Sequence, residues 1–340
     1  MLHTPPEIVR RSSKRAIFVE SRQLSAGRFY TRGSNNGKGG ATQTDILGGN
    51  LGGNNVMQYV RELVLPARES KPDLEHGSIF FIGTATVLLS YAGFTILTDP
   101  NFLHQGEHIH LGYGMRSARK TNPAIDIEQL PPLDFVLLSH LHEDHFDRVV
   151  IKKLDKFVPI VTTPKAAAAL KKKGFGKTYP LKTWEKLTII KGETILRITS
   201  MPGKHAPGPL SFLLPPVMGS ILEFQTPAEE TKLCLYITGD TLFYKQLKEI
   251  PRRFPGIDLA LLHLGGAKIM GVMLTMDGKQ GVEAMKSVAP HTSIPIHFND
   301  YPVFTSPLED FRKEVEAAGL THRVHYLNAG ETYIFVKPLR

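Results

Sequence analysis

The feature that most constrains this chain is a run of histidines and carboxylates directly behind an apolar stretch, residues 137–147 with the sequence LLSHLHEDHFD. The preceding residues 134–139 predict a buried strand, and residues 143–154 predict the start of a helix. Neutral imidazole and carboxylate groups suit zinc and the neighbouring first-row metals. The sequence therefore predicts metal ligands at a strand end, where the chain turns into a helix.

The spacing of these ligands predicts two ions rather than one. His140 and His142 lie two residues apart in an extended segment, so both side chains can bind one ion. Asp144 and His145 follow one turn later and can bind a second ion. Each ion still lacks ligands, so other parts of the chain must supply them.

The composition is that of an ordinary globular protein. The chain has 340 residues, 41% of them hydrophobic, which suffices for one large domain. Its formal charge of +9 is concentrated at the N-terminus, because residues 1–40 hold eight Lys and Arg residues against two Glu residues. The rest of the chain is nearly neutral, so we expect no nucleic-acid partner and a small-molecule or lipid-like substrate instead. The oligomeric state stays open.

A single cysteine, Cys234, excludes an internal disulfide framework and a cysteine-based zinc cluster. No apolar run approaches the roughly 18 residues that are needed to span a bilayer. We expect a cytoplasmic protein. The alternative is a mitochondrial protein, because residues 1–32 are rich in Arg and Ser and poor in acidic residues.

The chain divides into two parts. Residues 1–55 predict a flexible basic tail, because residues 33–55 are rich in Gly and Asn and cannot bury a core. Residues 56–340 predict the catalytic domain. A short amphipathic helix at 56–65 is expected to pack on it, since apolar residues recur there at helical spacing: Val56, Met57, Val60, Leu63 and Val64.

Residues 101–132 predict a long irregular loop, and loops of this length inside a domain are usually functional. Its basic side chains are candidates for binding an anionic group of the substrate, with a solvated basic loop as the alternative: Arg116, Arg119 and Lys120. Its histidines are weaker candidates for a third metal site, because no pair of carboxylates accompanies them: His104, His108 and His110.

Further candidate ligands follow other predicted strands. Five strand-like runs end in histidine or aspartate: His140 with His142, His205, Asp240, His263 and His297. Asp99 ends another run, in Thr98-Asp99-Pro100, and can orient a ligand histidine from behind. We expect these strand ends to meet at one edge of a sheet.

Residues 77–336 resemble the metallo-β-lactamase superfamily. Its signature HxHxDH matches residues 140–145, and later positions match His205 on a Gly/Pro-rich turn, Asp240 in Gly-Asp-Thr and His297 in Pro-Ile-His. The resemblance implies an α/β fold, the four-layer αβ/βα sandwich, with the metals at one edge. It implies a first ion held by His140, His142 and His205. It implies a second ion held by Asp144, His145 and His297, with Asp240 bridging. The cofactors are then two divalent ions, zinc first and manganese as the alternative.

Within the superfamily, three short segments look most like the branch that contains L-ascorbate-6-phosphate lactonase and N-acyl-phosphatidylethanolamine phospholipase D. These segments are Thr98-Asp99-Pro100, His297-Phe298 and Asp300-Tyr301. The chain departs from that branch at Gly83-Thr84, where the branch usually has Gly-His. The departure predicts the loss of a histidine on the substrate side.

These features predict a dinuclear hydrolase that directs an activated water at an ester, lactone, amide or phosphodiester bond. Asp144 or Asp240 would relay the proton. His263 would stabilise an oxyanion or protonate the leaving group, unless its role is structural. The alternative is a degenerate metal-binding protein that acts through its basic tail, which the complete ligand set disfavours. A nuclease or a di-iron redox enzyme is less favoured still, since neither an inserted second domain nor a flavin-binding domain is evident in the sequence.

Overall fold

The computed structural model describes residues 31–33, 42–47, 59–67, 71–112, 114–208, 214–228 and 230–337. Most of the predicted N-terminal tail lies outside the described residues. So does the segment 209–213, which follows the predicted ligand His205.

Strands make up most of the regular structure. In chain order they are β1 (Thr31–Gly33), β2 (Thr42–Leu47), β3 (Tyr59–Leu65), β4 (His76–Gly83), β5 (Thr86–Tyr91), β6 (Phe94–Thr98), β7 (His108–Gly112), β8 (Met115–Ala118), β9 (Phe135–Leu137), β10 (Ile160–Thr162), β11 (Thr178–Pro180), β12 (Lys186–Lys191), β13 (Thr194–Pro202), β14 (Met218–Gln225), β15 (Thr231–Ile237), β16 (Leu259–His263), β17 (Lys268–Ile269), β18 (Val272–Met273), β19 (Thr292–Ile296) and β20 (Thr332–Val336).

The α-helices are short. They are α1 (Arg148–Lys153), α2 (Pro164–Lys172), α3 (Ile250–Arg253), α4 (Gly278–Val288) and α5 (Leu308–Ala317), with 3-10 turns at Ile127–Gln129, Lys245–Glu249 and Thr321–Arg323. Helix α2 has a capped N-terminus, because the Thr163 side chain accepts from Ala166 N at 3.3 Å and Pro164 occupies the first turn. Across the described ranges, no helix is long and apolar enough to cross a membrane.

Two large mixed sheets organise the described part of the chain. One has nine strands in the order β1-β2-β3-β12-β13-β14-β15-β16-β19, and the other has seven in the order β11-β10-β9-β6-β5-β4-β20. The strands that precede the predicted ligands pair in parallel, β9 with β6 and β16 with both β15 and β19. Parallel pairing brings the carboxyl ends of these strands to the same edge.

The two sheets pack face to face, and helices cover their outer faces. Successive residues of a strand point to opposite faces of its sheet. In β6, Ile96 lies in the core between the two sheets, and Leu97 lies in the core between the sheet and the helices. Helices α1 and α2 cover the seven-stranded sheet, with Val150 and Leu170 buried against it. Helices α4 and α5 cover the nine-stranded sheet, with Phe311 buried there. This helix-sheet-sheet-helix order confirms the predicted four-layer α/β sandwich.

The helix predicted at 56–65 is wrong, because the structure has strand β3 there. β3 pairs in parallel with β12 and antiparallel with β2, so both of its edges are hydrogen bonded. Burial follows the period of a strand, with Leu63 and Leu65 buried and Val64 42% exposed between them. The apolar residues of this segment are spaced as in a helix, but hydrogen bonding to β2 and β12 makes the segment a strand.

The prediction of a flexible tail over residues 1–55 is wrong for the two segments that the structure describes. β1 and β2 form an antiparallel pair, and β2 also pairs with β3, so these strands form one end of the nine-stranded sheet. The predicted irregular loop at 101–132 likewise contains regular structure, the β7–β8 hairpin and a 3-10 turn.

The predicted ligands gather at the edges of both sheets rather than at one. β6 and β9 end in Asp99 and the histidine run, and both belong to the seven-stranded sheet. β13, β15 and β19 of the nine-stranded sheet lead to His205, Asp240 and His297. The expectation of a single sheet edge is therefore corrected, since the centre lies across the gap between two sheets.

Candidate metal centre

The loop after β9 presents the predicted ligands in a fixed turn. The N–H groups of His145 and Phe146 both donate to His142 O, at 3.1 and 2.9 Å. Asp147 ends the loop as the N-cap of α1, and its Oδ1 accepts from Val150 N at 2.9 Å. A strand on one side and a capped helix on the other therefore position this ligand loop.

The first group of ligands contains only imidazoles. His140 Nε2 lies 2.9 Å from His142 Nδ1, and His205 Nε2 lies 3.1 Å from the same His142 atom. The three ligand atoms all lie within 4.8 Å of one another. His140 and His205 are buried and His142 is partly exposed, so this group is open on one side.

The second group combines two imidazoles with two carboxylates. His145 Nε2 lies 3.1 Å from Asp240 Oδ2, and His297 Nε2 lies 3.6 Å from Asp240 Oδ1. Asp144 Oδ2 completes the group at 3.4 Å from His297 Nε2 and 3.8 Å from His145 Nε2. All four side chains are buried.

Asp240 is placed on the side of the second group that faces the first. Its Oδ2 lies 3.9 Å from His140 Nε2 and 3.1 Å from His145 Nε2. The preceding Gly239 makes this position accessible, because it adopts a positive φ of 61° and a Cβ there would lie 2.6 Å from Met218 O. One carboxylate can thus contact ions in both groups.

Buried polar atoms without hydrogen-bond partners test whether this donor set fits metal ions. Within the described ranges, both ring nitrogens of His145 and Oδ1 of Asp240 lack such a partner. Leaving buried nitrogen and carboxylate atoms unpaired is costly, so native proteins usually satisfy them. A divalent ion held by His145 and Asp240 would supply the missing interaction. The residues therefore fit the metals that the sequence predicts.

The imidazoles of the first group are poised to bind a cation. Burial lowers the pKa of His142 to about 4 and the pKa of His140 well below its usual range, and neighbouring histidines add to both shifts. Burial lowers the pKa of His205 as well. All three rings are neutral near pH 7, which is the state that coordinates metal.

The second group has the opposite electrostatics, because carboxylates surround its imidazoles. Burial lowers the pKa of His145, but Asp240, Asp144 and Asp99 outweigh it and raise the pKa well above its usual range. Burial would raise the pKa of Asp144, yet His145 and His297 bring it down to about 2. The group attracts positive charge, which a divalent ion supplies in place of protons on the imidazoles.

Backbone carbonyls orient two of the ligand rings. His205 Nδ1 donates to Leu274 O at 3.2 Å, and His297 Nδ1 donates to Leu264 O at 3.3 Å. Each bond fixes the proton on Nδ1 and leaves Nε2 free to coordinate.

Asp99 supports His145 from behind, as the sequence predicts. Its Oδ1 accepts from Ser139 N at 2.7 Å and from Ser139 Oγ at 3.0 Å. Its Oδ2 lies 3.4 Å from His145 Nδ1 and 3.2 Å from His263 Nε2. Burial raises the pKa of Asp99, but His145 and His263 lower it overall, so the carboxylate stays ionised.

The catalytic role predicted for His263 is corrected by its position. The side chain is fully buried and contacts Asp99 on one nitrogen and Thr238 Oγ1, at 3.2 Å, on the other. It therefore lies behind the ligand set and does not line the pocket above it. A group in that place cannot reach a leaving group, so His263 is a structural partner of Asp99.

Three non-glycine residues at the centre adopt left-handed backbone conformations: Thr84, Asp99 and His297, with φ of 51°, 35° and 62°. Such conformations cost energy and cluster at functional sites. Hydrogen bonds hold them in place, because His297 N donates to Thr84 O at 2.6 Å and Thr84 N donates to Asp300 Oδ2 at 2.5 Å. Thr84 is thus a buried support for His297.

The predicted substrate contact of Arg119 is also corrected. Arg119 is 1% exposed, and its Nη1 donates to Asn101 Oδ1 and Leu103 O, both at 2.7 Å. Its guanidinium holds loop carbonyls together in the interior. Lys120 is exposed, and its backbone N–H donates to Asp300 O at 2.8 Å. Arg116 is exposed on β8, directly opposite His110 of β7.

A pocket of about 50 Å³ opens onto the two ligand groups. Its floor is formed by ligands: His142, Asp144, His205 and Asp240. Its walls are mainly aliphatic and aromatic: Leu111, Leu214, Ala267, Ile269, Leu274, Val303 and Phe304. The reacting group of a substrate would therefore meet the ligands through an apolar entrance.

Sequence reasoning missed one feature of this entrance. His110 also lines the pocket, and its Nδ1 lies 2.6 Å from Glu143 Oε2. The alternation of His108-Ile109-His110-Leu111 is the strand signal that could have revealed β7. The third metal site that the sequence disfavours does not form among the described residues, because His104 contacts Asp126 at 2.9 Å while His110 contacts Glu143.

Comparison with known families agrees with this geometry. A model described as the beta-lactamase superfamily domain matches residues 95–298, more than half of the chain. The chain belongs to this family. The matched segment includes all seven predicted ligands.

Individual relatives are distant but extensive. The chain is 26% identical over 263 residues to UPF0173 protein YddR of Bacillus subtilis, covering 75% of this chain and 98% of that protein. It is 29% identical over 213 residues to a UPF0173 metal-dependent hydrolase of Archaeoglobus fulgidus, covering 60% of this chain and 83% of the relative. The crystal structure of an isothiocyanate hydrolase from Delia radicum gut bacteria has a TM-score of 0.65 at 22% identity, over 76% of this chain and 99% of that one, which shows a shared fold.

Proposed function

We propose that this protein is a metal-dependent hydrolase with two divalent ions, which directs an activated water at an ester, lactone, amide or phosphodiester bond. Membership of the beta-lactamase superfamily supports the general class, and several relatives are named metal-dependent hydrolases. The dinuclear centre and the bond that is cleaved are the specific content of the proposal.

One observation carries the dinuclear assignment. Two complete ligand groups lie side by side, and Asp240 Oδ2 is 3.1 Å from His145 Nε2 and 3.9 Å from His140 Nε2. A single ion needs about four protein or water ligands, whereas seven buried or partly buried donors converge here. We assign His140, His142 and His205 to the first ion and Asp144, His145 and His297 to the second, with Asp240 shared.

The donor set favours zinc, with manganese as the alternative, because five of the seven ligands are imidazoles. When bound, two such ions lower the pKa of a shared water and polarise the oxygen of the scissile group. Asp144 and Asp240 line the pocket floor, so they are placed to accept the proton that the water loses. The apolar walls exclude other water from the reacting atoms.

The entrance suggests a substrate that is small or lipid-like. The pocket walls are apolar, and of the two predicted substrate-binding residues that are exposed, Arg116 and Lys120, Arg116 pairs across the hairpin with the pocket residue His110. Residues paired directly across an antiparallel ladder share a face, so Arg116 lies on the face of the hairpin that carries His110. A substrate with an apolar body and an anionic group at the rim fits this arrangement. The resemblance to the lactonase and phospholipase branch is consistent with it.

A hydrolysis panel of esters, lactones, thioesters and phosphodiesters tests the function. The zinc-loaded protein should hydrolyse at least one class, and His142→Ala should reduce that activity by about 100-fold or more, since it removes an ion ligand. His291→Ala is the matched control, because His291 is exposed and lies outside the centre. Full activity in the His142 variant, or in protein stripped of metal, would contradict the proposal.

A further inference from the structure

We infer that His110, held by Glu143, delivers the proton to the leaving group of the substrate. This inference rests on the proposed hydrolase function. It moves to the β7 strand the role that the sequence assigned to His263.

The pair is built from two strong contacts. Glu143 Oε2 lies 2.6 Å from His110 Nδ1 and also accepts from His110 N at 2.6 Å. One carboxylate oxygen therefore fixes both the backbone and the ring of His110. Nδ1 carries the proton of this bond, which leaves Nε2 as the reactive nitrogen.

Glu143 is itself held in place. Its other oxygen, Oε1, accepts from Arg148 Nη1 at 3.3 Å, and its carbonyl accepts from Asn101 Nδ2 at 3.1 Å. Arg148 is in turn fixed, because its guanidinium donates to Glu107 Oε1 and His108 O, both at 2.8 Å. Glu143 lies between the ligands His142 and Asp144, so the same turn that presents the ligands also aims the carboxylate.

The position of His110 gives this pair a function. Among the described residues that line the pocket, it is the only titratable side chain outside the ligand set. The other lining groups are apolar and cannot transfer a proton. Its side chain is 57% exposed, so it exchanges protons with solvent between turnovers.

The charges that face His110 come from four segments of the chain. Glu143 of the ligand loop contacts it, Arg148 of α1 and Glu107 beside β7 form the next layer, and Arg116 lies opposite on β8. A carboxylate in direct contact keeps the imidazole ring oriented, as in other histidine–carboxylate pairs.

The step balances without another reagent. The water loses one proton to Asp144 or Asp240, which later releases it to solvent. Its oxygen forms the new bond to the carbonyl carbon or phosphorus, and the bond to the leaving oxygen or nitrogen breaks with its electron pair on that atom. The Nε2 proton of the His110 imidazolium moves to that atom, and His110 becomes neutral with Nδ1–H still donated to Glu143. A proton from solvent then restores the imidazolium.

Paired substrates with the same acyl or phosphoryl part and different leaving groups test the inference. The pairs are para-nitrophenyl butyrate with ethyl butyrate, and methyl para-nitrophenyl phosphate with methyl phenyl phosphate. A good leaving group departs without a proton, whereas a poor one needs it. His110→Ala should lower kcat/KM for the poor leaving group by about 100-fold and for para-nitrophenolate by less than about 3-fold.

Glu143→Gln tests the positioning role, and it should show the same dependence on the leaving group with a smaller loss. Glu143→Asp should recover part of that loss, which a merely structural role would not require. His108→Ala is the matched control, because it is exposed on the same strand and does not line the pocket. Metal content, measured by mass spectrometry, should stay at the wild-type value in all four variants.

The outcomes separate this inference from the function on which it rests. Wild-type protein that hydrolyses neither these pairs nor any substrate of the hydrolysis panel contradicts the proposed hydrolase, and the inference falls with it. A second result overturns the inference alone. In it, the wild-type protein hydrolyses a pair, and His110→Ala either loses the same activity on both members or loses none on either.

Discussion

Replacing Asp99 by asparagine should weaken binding of the second ion while leaving the first nearly unchanged. Asp99 is buried, and Oδ1 already accepts two hydrogen bonds from Ser139, at 2.7 and 3.0 Å. An asparagine must place its carbonyl oxygen there to accept the same bonds. Its NH₂ group then faces His145 Nδ1 and His263 Nε2, where the carboxylate oxygen lay at 3.4 and 3.2 Å.

The consequence is a change of tautomer at His145. An NH₂ donor beside Nδ1 favours the ring with its proton on Nε2, which is the nitrogen that lies 3.1 Å from Asp240 and faces the centre. A protonated Nε2 cannot coordinate an ion. Loss of such a supporting carboxylate typically costs about 10–100-fold in metal affinity, or about 1.4–2.7 kcal/mol.

Titration of metal-free protein with zinc, in competition with a coloured chelator, measures both affinities separately. Asp134→Asn is the matched control, because it replaces another carboxylate, in an ion pair of 2.6 Å with Lys191 away from the centre. The control should bind both ions normally even if its stability falls. Equal loss of both ions in Asp99→Asn, or no loss of either, would refute the role assigned to Asp99.

Two further predictions concern the corrected residues and the ligand loop. Arg119→Met should lower the free energy of unfolding by about 2–4 kcal/mol, because it leaves buried carbonyls without donors. Arg116→Met should leave the free energy of unfolding unchanged, as measured by urea denaturation, and should raise KM only for anionic substrates. Equal stability of the two variants would contradict this contrast. Asp147→Ala should lower the free energy of unfolding by about 3–5 kcal/mol. Val150 N and Leu103 N, each 2.9 Å from the Asp147 carboxylate, lose their acceptor. A loss below about 1 kcal/mol in the same assay would show that the cap is not needed.

The ligands were predictable from sequence because each follows an apolar run that forms a strand. The histidine run, Asp240 and His297 follow β9, β15 and β19, and parallel pairing brings such ends together. The strand predicted at 134–139 contains β9. The sequence pattern predicts secondary structure correctly where it is compatible with a strand but not with a helix.

The errors arose where tertiary contacts decide the outcome. Val60 and Val64 suit a helix by spacing, yet pairing with β2 and β12 makes a strand of them. Arg119 looks like a surface cation, but the fold buries it and its Nη1 donates to Asn101 and Leu103 in the interior. The contact between His110 and Glu143 joins residues 33 positions apart, so no local pattern could reveal it.

The most direct test of the central claim is anomalous X-ray diffraction at the zinc absorption edge from crystals of the zinc-loaded protein. The account predicts two zinc peaks per chain about 3.5–4 Å apart. One should lie among His140, His142 and His205 and the other among Asp144, His145 and His297, with Asp240 touching both. A single peak, or two peaks that do not share Asp240, would contradict the dinuclear centre.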